Sequence, residues 1–321
     1  MRVIYWARLG LARAQVTEAL RAVPGVELQV VEKLPELLDA LPGAEGLVCY
    51  DAPEPEARAV REAAEAPGGA LRWMHILTAG REGFDAAGLP RGVAVTWAAG
   101  AVSPTVAEHA MALLLALARR LPEMVGQTSR GQWDRAAAGR ATSLEGATLL
   151  ILGLGHIGRE IARRARPFGM RLVGVTRTPG EEPLLDEVHG LPALPELLGR
   201  ADAIAVALNL APETRHLLDA AALARCKPGA LLVNISRGGL IDQAALRDAL
   251  VEGRLGGAGL DVTDPEPLPA DDPLWSSPNL LITPHYAGGG SRASLERLAE
   301  GAAGNLRRLL AGEALQHRVD N

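Results

Sequence analysis

The sequence predicts an α/β protein made of two doubly wound parallel-sheet domains. Three observations carry that expectation. Between Arg2 and Trp97, short β-branched runs alternate with Ala-, Leu- and Glu-rich helical stretches. The alternation resumes at Thr148, after a long apolar helix. The first strand of this second series then runs directly into a glycine-rich turn and another helix. Strands separated by helices pair in parallel, and the crossover helices cover both faces of the sheet. A length of 321 residues suits two such domains, each able to bury its own core.

In the first series, strands are expected at residues 3–6, 28–31, 46–49, 73–77 and 93–96, with helical patterns at 11–23 and 55–66. A long apolar helix follows over 103–120, with Ser103 as N-cap and Pro104 in the first turn. The chain is expected to be irregular from there through Trp133. The second series gives strands at 148–152, 171–176, 203–207, 230–234, 257–260 and 280–283, and a helix at 158–168. An amphipathic helix over 291–310 closes the chain.

Bulk properties narrow the function classes. A net charge of -5 offers no basic footprint for nucleic acid. Cys49 and Cys226 match no disulfide or metal spacing, which fits a reducing compartment, and no metal is expected. The amino terminus is interrupted by Arg2 and Arg8 and lacks a signal peptide's apolar core. The longest apolar run, residues 110–118, is too short to span a bilayer. A cytoplasmic protein without membrane or nucleic-acid partners is the expectation.

The turn Gly153-Leu154-Gly155-His156-Ile157-Gly158 follows a strand and opens a helix, the Rossmann dinucleotide fingerprint. Gly153 permits the tight turn, Gly155 lets the backbone approach a pyrophosphate, and Gly158 lets helix pack on strand. Taken alone, a glycine-rich turn is common in loops; both flanks and a second strand at Arg171 make this one specific. An Asp or Glu ending that second strand would bind the ribose 2′-hydroxyl of NAD. The chain instead has Thr176-Arg177-Thr178, and Arg177 suits a 2′-phosphate, so NADP is favoured over NAD. The competing use of Arg177 is stacking on adenine while NAD binds.

Three later strand ends carry chemistry: Asn234-Ile235-Ser236-Arg237, Asp261-Val262-Thr263-Asp264-Pro265-Glu266, and Thr283-Pro284-His285. Carboxyl ends of strands in a doubly wound sheet face the ligand crevice, so Arg237, Asp261, Glu266 and His285 are expected to converge. Arg237 can fork across a carboxylate and a carbonyl oxygen that gains charge as hydride arrives. His285 can protonate the forming alkoxide. Singly, each has a plainer use: a surface ion pair for Arg237, a turn acid for Glu266, a structural histidine at 285. Their order beside the glycine turn favours catalysis.

With Val106-Ala107-Glu108-His109 and Ala211-Pro212-Glu213-Thr214 added, the chain resembles the D-isomer-specific 2-hydroxyacid dehydrogenases from about Ala79 onward, particularly the glyoxylate/hydroxypyruvate reductases. The resemblance implies a discontinuous flavodoxin-like substrate domain, residues 1–99 and 286–321, and a Rossmann domain over 100–285. It pairs Glu266 with His285, which favours the imidazolium. It gives Asp261 the nicotinamide carboxamide, and Ala79, Gly80 and Arg81 the substrate carboxylate. It counts Thr105, Thr178, Leu208, Asn209, Ile235, Ser236 and Gly288 among the cofactor contacts, with His156 and Ile157 of the turn. His109 matches the family but reads as a packing or capping residue.

There are departures from the family pattern. Trp97-Ala98 stands where the family often has Asn, and residues 81–85 form a longer turn than usual. Arg81 either adds a positive charge to the substrate pocket or faces solvent. Trp133 lies where the resemblance implies homodimer contacts. Glu266 disfavours the formate dehydrogenase branch, where Gln is found. D-lactate and phosphoglycerate dehydrogenases remain alternatives within the family. Outside enzymes, the resemblance admits a nucleotide-sensing corepressor.

Overall fold

The computed structural model describes residues 1–289 and 291–319. The chain divides into two compact units, Met1–Val102 with Gly289–Asn321, and Ser103–Gly288.

In the first unit, strands β1 (Arg2–Trp6), β2 (Glu27–Val31), β3 (Gly46–Cys49), β4 (Trp73–Ile76) and β5 (Ala94–Trp97) form one parallel sheet, ordered β2-β1-β3-β4-β5. The reversal between β1 and β3 is the flavodoxin-type switch point. Helices α1 (Arg13–Arg21), α2 (Leu34–Ala40), α3 (Glu54–Glu65) and α4 (Glu82–Ala87) connect the strands. Residues of β3 and β4 are buried throughout, as expected of strands covered on both faces. The C-terminal helix Arg292–Ala311 starts at Ser291, whose hydroxyl accepts the Ser294 amide. Its Leu298, Ala302 and Leu306 share a core with Val16 and Leu20 of α1.

The second unit opens with α5 (Ser103–Ala118) and α6 (Leu121–Ser129). Its strands are β6 (Thr148–Leu152), β7 (Arg171–Val175), β8 (Glu187–His189), β9 (Ala203–Val206), β10 (Ala230–Asn234), β11 (Leu255–Leu260) and β12 (Leu280–Ile282). They form a seven-stranded parallel sheet ordered β12-β11-β10-β9-β6-β7-β8. Helices α7 (His156–Ala165), α8 (Leu194–Leu198), α9 (Ala220–Arg225) and α10 (Gln243–Val251) connect them. Chain order reverses between β6 and β9, where open α/β sheets bind ligands. A Cβ added at Gly259 of β11 would stand 3.0 Å from Leu113 Cβ, so a glycine lets α5 lie directly on the sheet.

Several local expectations are corrected. Ser103 is the first residue of α5 and not a cap preceding it. The segment expected to be irregular contains α6, because Arg120 turns left-handed (φ 58°) and Pro122 restarts a helix in its first turn. Strand β8 was not expected: Glu-Val-His is short, polar and at the sheet edge, with no apolar alternation to reveal it. The long turn at residues 81–85 is largely helix α4. The Asp51 carboxylate holds it by accepting the Gly83 and Phe84 amides, each at 3.1 Å. No helix among the described residues is long and apolar enough to cross a membrane.

Candidate active site

The second unit assembles its chemistry at the carboxyl ends of its strands. The glycine turn follows β6, and each glycine has a different reason. Gly153 has φ 101°, and a Cβ there would meet the Ala207 carbonyl oxygen at 2.5 Å. At Gly158 a Cβ would meet the Gly153 carbonyl oxygen at 1.9 Å, so α7 packs on the turn only without a side chain. At Gly155 it would meet nothing within 4 Å. That open side is where a pyrophosphate would lie, at the positive end of α7, whose first residues are His156 and Ile157. The open space at Gly155, at the N-terminus of α7, fits the pyrophosphate of a dinucleotide.

Beyond β7 the chain continues through Thr176, half-buried, into exposed Arg177 and Thr178. The following loop carries two acids: Glu182 pairs with Arg159 of α7 at 2.5 Å, and Glu181 is exposed. On neighbouring β8, His189, Arg200 and Arg171 surround Glu187 and hold its carboxyl down at about 2. The Thr176 amide donates to His189 O at 3.0 Å, tying this loop to β8.

The loops after β9 and β10 are tied together. Ser236 Oγ donates to the Leu208 carbonyl, and the Ile235 amide reaches Val206 O at 3.4 Å. Thr214 shapes the same loop by accepting the Ala211 amide at 2.8 Å and donating to Asn209 O at 2.8 Å. Buried Asn234 spans the next turn: its Oδ1 accepts the Ser236 amide at 3.1 Å and its Nδ2 donates to Arg237 O at 2.9 Å. Arg237 is half-buried, and its Nη1 donates to Ser236 O at 2.7 Å. A Cβ at Gly238 would fall 2.1 Å from Thr263, so the Arg237 loop lies against the loop that carries Glu266.

Glu266 links that loop to the next. Its Oε1 accepts the Thr263 amide at 3.1 Å, and its Oε2 meets His285 Nδ1 at 2.8 Å. His285 sits at φ 49°, a conformation that a residue with a Cβ seldom adopts. Asp261 holds it there. Its backbone oxygen accepts the His285 amide at 2.8 Å, and its buried carboxylate accepts Tyr286 N at 3.1 Å and Ala287 N at 3.0 Å. Thr283 Oγ1 donates to the same carboxylate at 2.6 Å. Three of roughly four acceptor positions on Asp261 are thus used within the loop, leaving about one for an outside donor.

The remaining sequence candidates are also located. Thr105 lies in the first turn of α5, and Gly288 is the last residue of the second unit. Ala79, Gly80 and Arg81 follow β4 in the first unit. Arg81 stacks over the Trp97 ring at 5.5 Å and pairs with Asp85 at 3.4 Å, with only 24% of its side chain exposed. His109, which reads from the sequence as a packing or capping residue, has its Nε2 2.9 Å from Thr283 Oγ1. Nothing in its helical periodicity distinguishes it; the contact spans 174 residues of sequence.

Residues 111–287 match the family model of the D-isomer specific 2-hydroxyacid dehydrogenase NAD binding domain, more than half of the chain. The human glyoxylate reductase/hydroxypyruvate reductase is 34% identical over 284 residues, covering 87% of this chain and 85% of that one. A D-3-phosphoglycerate dehydrogenase of Methanocaldococcus jannaschii is 38% identical over 243 residues, 72% of this chain but 44% of that one. The chain spans about half the length of the phosphoglycerate dehydrogenases it matches. A solved D-isomer specific 2-hydroxyacid dehydrogenase family protein from Aeromonas salmonicida superposes with a TM-score of 0.85 at 32% identity, covering 99% of this chain and 98% of that one. A dehydrogenase from Xanthobacter autotrophicus, solved with NADPH and MES, gives 0.81 at 27% identity, covering 99% and 98%.

Proposed function

The chain belongs to the D-isomer specific 2-hydroxyacid dehydrogenase family, and from that premise we propose that it reduces a small 2-keto acid, glyoxylate or hydroxypyruvate, with NADPH. The observation that carries this reading is the His285–Glu266 pair at 2.8 Å, in the same sheet as the glycine turn and beside the Arg237 loop. A bound dihydronicotinamide supplies the hydride to the carbonyl carbon. Arg237 orients the substrate carboxylate and stabilises the charge developing on the carbonyl oxygen. Glu266 occupies His285 Nδ1, which leaves Nε2 to give the proton to that oxygen and, in reverse, to remove it. Asp261 retains an acceptor position for the carboxamide, and Ala79, Gly80 and Arg81 are proposed for the substrate carboxylate.

NADP is proposed over NAD because exposed Arg177 and Thr178 directly follow β7, at the place where an acid would be needed for a ribose hydroxyl. A cytoplasmic location agrees with two free, buried cysteines. A homodimer is part of the same reading, supported by the Trp133 indole at 90% exposure. The experiment is a panel of glyoxylate, hydroxypyruvate, pyruvate and 3-phosphohydroxypyruvate, each assayed with NADPH and NADH. Highest kcat/KM for glyoxylate or hydroxypyruvate with NADPH is expected. A preference for the phosphorylated acid, or no turnover, overturns the assignment.

A further inference from the structure

We propose that His109 and Thr283 are positioning residues for His285, acting through Asp261; this rests on the reading of His285 as the proton donor. The loop from Thr283 to Ala287 is held from one side mainly by Asp261, next to Leu260, whose carbonyl accepts the Thr283 amide at 2.8 Å. Asp261 takes the Thr283 hydroxyl, the His285 amide, the Tyr286 amide and the Ala287 amide. Four bonds to one strand end keep His285 in its left-handed conformation, which the surroundings must enforce.

The hydroxyl of Thr283 has one proton. At 2.6 Å from Asp261 Oδ1, a buried acceptor without protons of its own, that proton is committed to the carboxylate. The contact between Thr283 Oγ1 and His109 Nε2 at 2.9 Å therefore has only one polarity: the imidazole donates and the hydroxyl oxygen accepts. Nε2 of His109 thus carries the hydrogen given to Thr283 Oγ1, and Nε2 itself lies 3.6 Å from Asp261 Oδ1. The His109 ring also meets Tyr286 edge-on at 5.0 Å, so it supports the loop beyond His285 as well as before it. His109 is fixed on α5 and only 14% exposed, so the helix braces the catalytic loop through a donor–relay–acceptor line. A histidine suits this position because its ring is rigid and presents a donor at its far tip.

The test compares His109→Leu, which removes the donor, with His109→Gln, whose amide can still donate near the Nε2 position. Keto-acid reduction, NADPH affinity by fluorescence titration, and amide hydrogen exchange at Tyr286 and Ala287 are measured on each. Loss of one bond in the line is expected to lower kcat roughly tenfold in His109→Leu, with NADPH Kd changed less than about twofold on the same reasoning. Exchange at both amides should quicken roughly tenfold as the brace is lost. Gln should restore kcat to within about threefold of wild type. Thr283→Val is expected to match Leu, and Thr283→Ser to match wild type.

An unchanged kcat in His109→Leu overturns the proposal, as does a kcat loss that Gln does not relieve or that comes with an equal loss of NADPH affinity. If the wild-type protein reduces no 2-keto acid, the functional reading fails by itself. Amide exchange then decides the bracing role: unchanged rates in His109→Leu and Thr283→Val defeat it, and faster rates sustain it.

Discussion

Glu266 Oε2 stands 2.8 Å from His285 Nδ1, while the other oxygen of the same carboxylate accepts the Thr263 amide at 3.1 Å. The acid is held by its own loop and so presents a fixed partner to the ring. His285→Ala is expected to reduce kcat about a hundredfold or more, the usual worth of a general acid, while NADPH binding survives. Steady-state kinetics and a cofactor titration check both halves.

Glu266→Gln is expected to lower kcat for keto-acid reduction roughly tenfold, the worth of one hydrogen bond to a charged group, because the carboxylate held by the Thr263 amide orients the His285 ring through Nδ1 at 2.8 Å. NADPH Kd should change less than about twofold. Steady-state kinetics beside a cofactor titration check both.

The glycines of the turn should fail differently. Gly158→Ala forces a Cβ to within 1.9 Å of the Gly153 carbonyl oxygen, so it should lower stability by about 1–3 kcal/mol. Gly155→Val meets no protein atom within 4 Å of its Cβ and should leave Tm nearly unchanged. It should weaken NADPH binding at least roughly tenfold, by obstructing backbone donors to phosphate. Thermal melts alongside Kd measurements separate the two.

Arg177→Ala is expected to lower kcat/KM for NADPH roughly 10–100-fold, the worth of a charged hydrogen bond, with little change for NADH. Equal losses with both cofactors would point to adenine stacking.

A further expectation concerns the first unit. Burial holds the His75 imidazole down at about 3, against an ordinary value near 6.5, while its Nδ1 bonds Thr96 Oγ1 at 2.8 Å. The unfolded chain therefore binds a proton that the folded one does not. The neutral ring's contribution is complete above about pH 6.5 and is lost progressively as pH falls toward about 3. Removing the imidazole in His75→Gln should make stability less dependent on pH in that window, by up to about 1.4 kcal/mol per pH unit. Urea unfolding of both proteins at several pH values measures the difference.

Sequence alone determined the alternation of strands and helices, the parallel sheets, the glycine turn and the residues at the strand ends. Each of these is encoded within a few consecutive positions: apolar runs bounded by turns, or glycines where a side chain has no room. Short polar β8 and the proline-started α6 left no such local signature. The family resemblance implied the Glu266–His285 pair, which no local pattern shows; tertiary structure alone decided its geometry, how the Asp261 carboxylate is shared, and that His109 reaches Thr283. Those contacts join residues 19, 22 and 174 positions apart. Hydrogen bonds between distant segments depend on strand order and loop conformation, and periodicity along the chain carries no record of either.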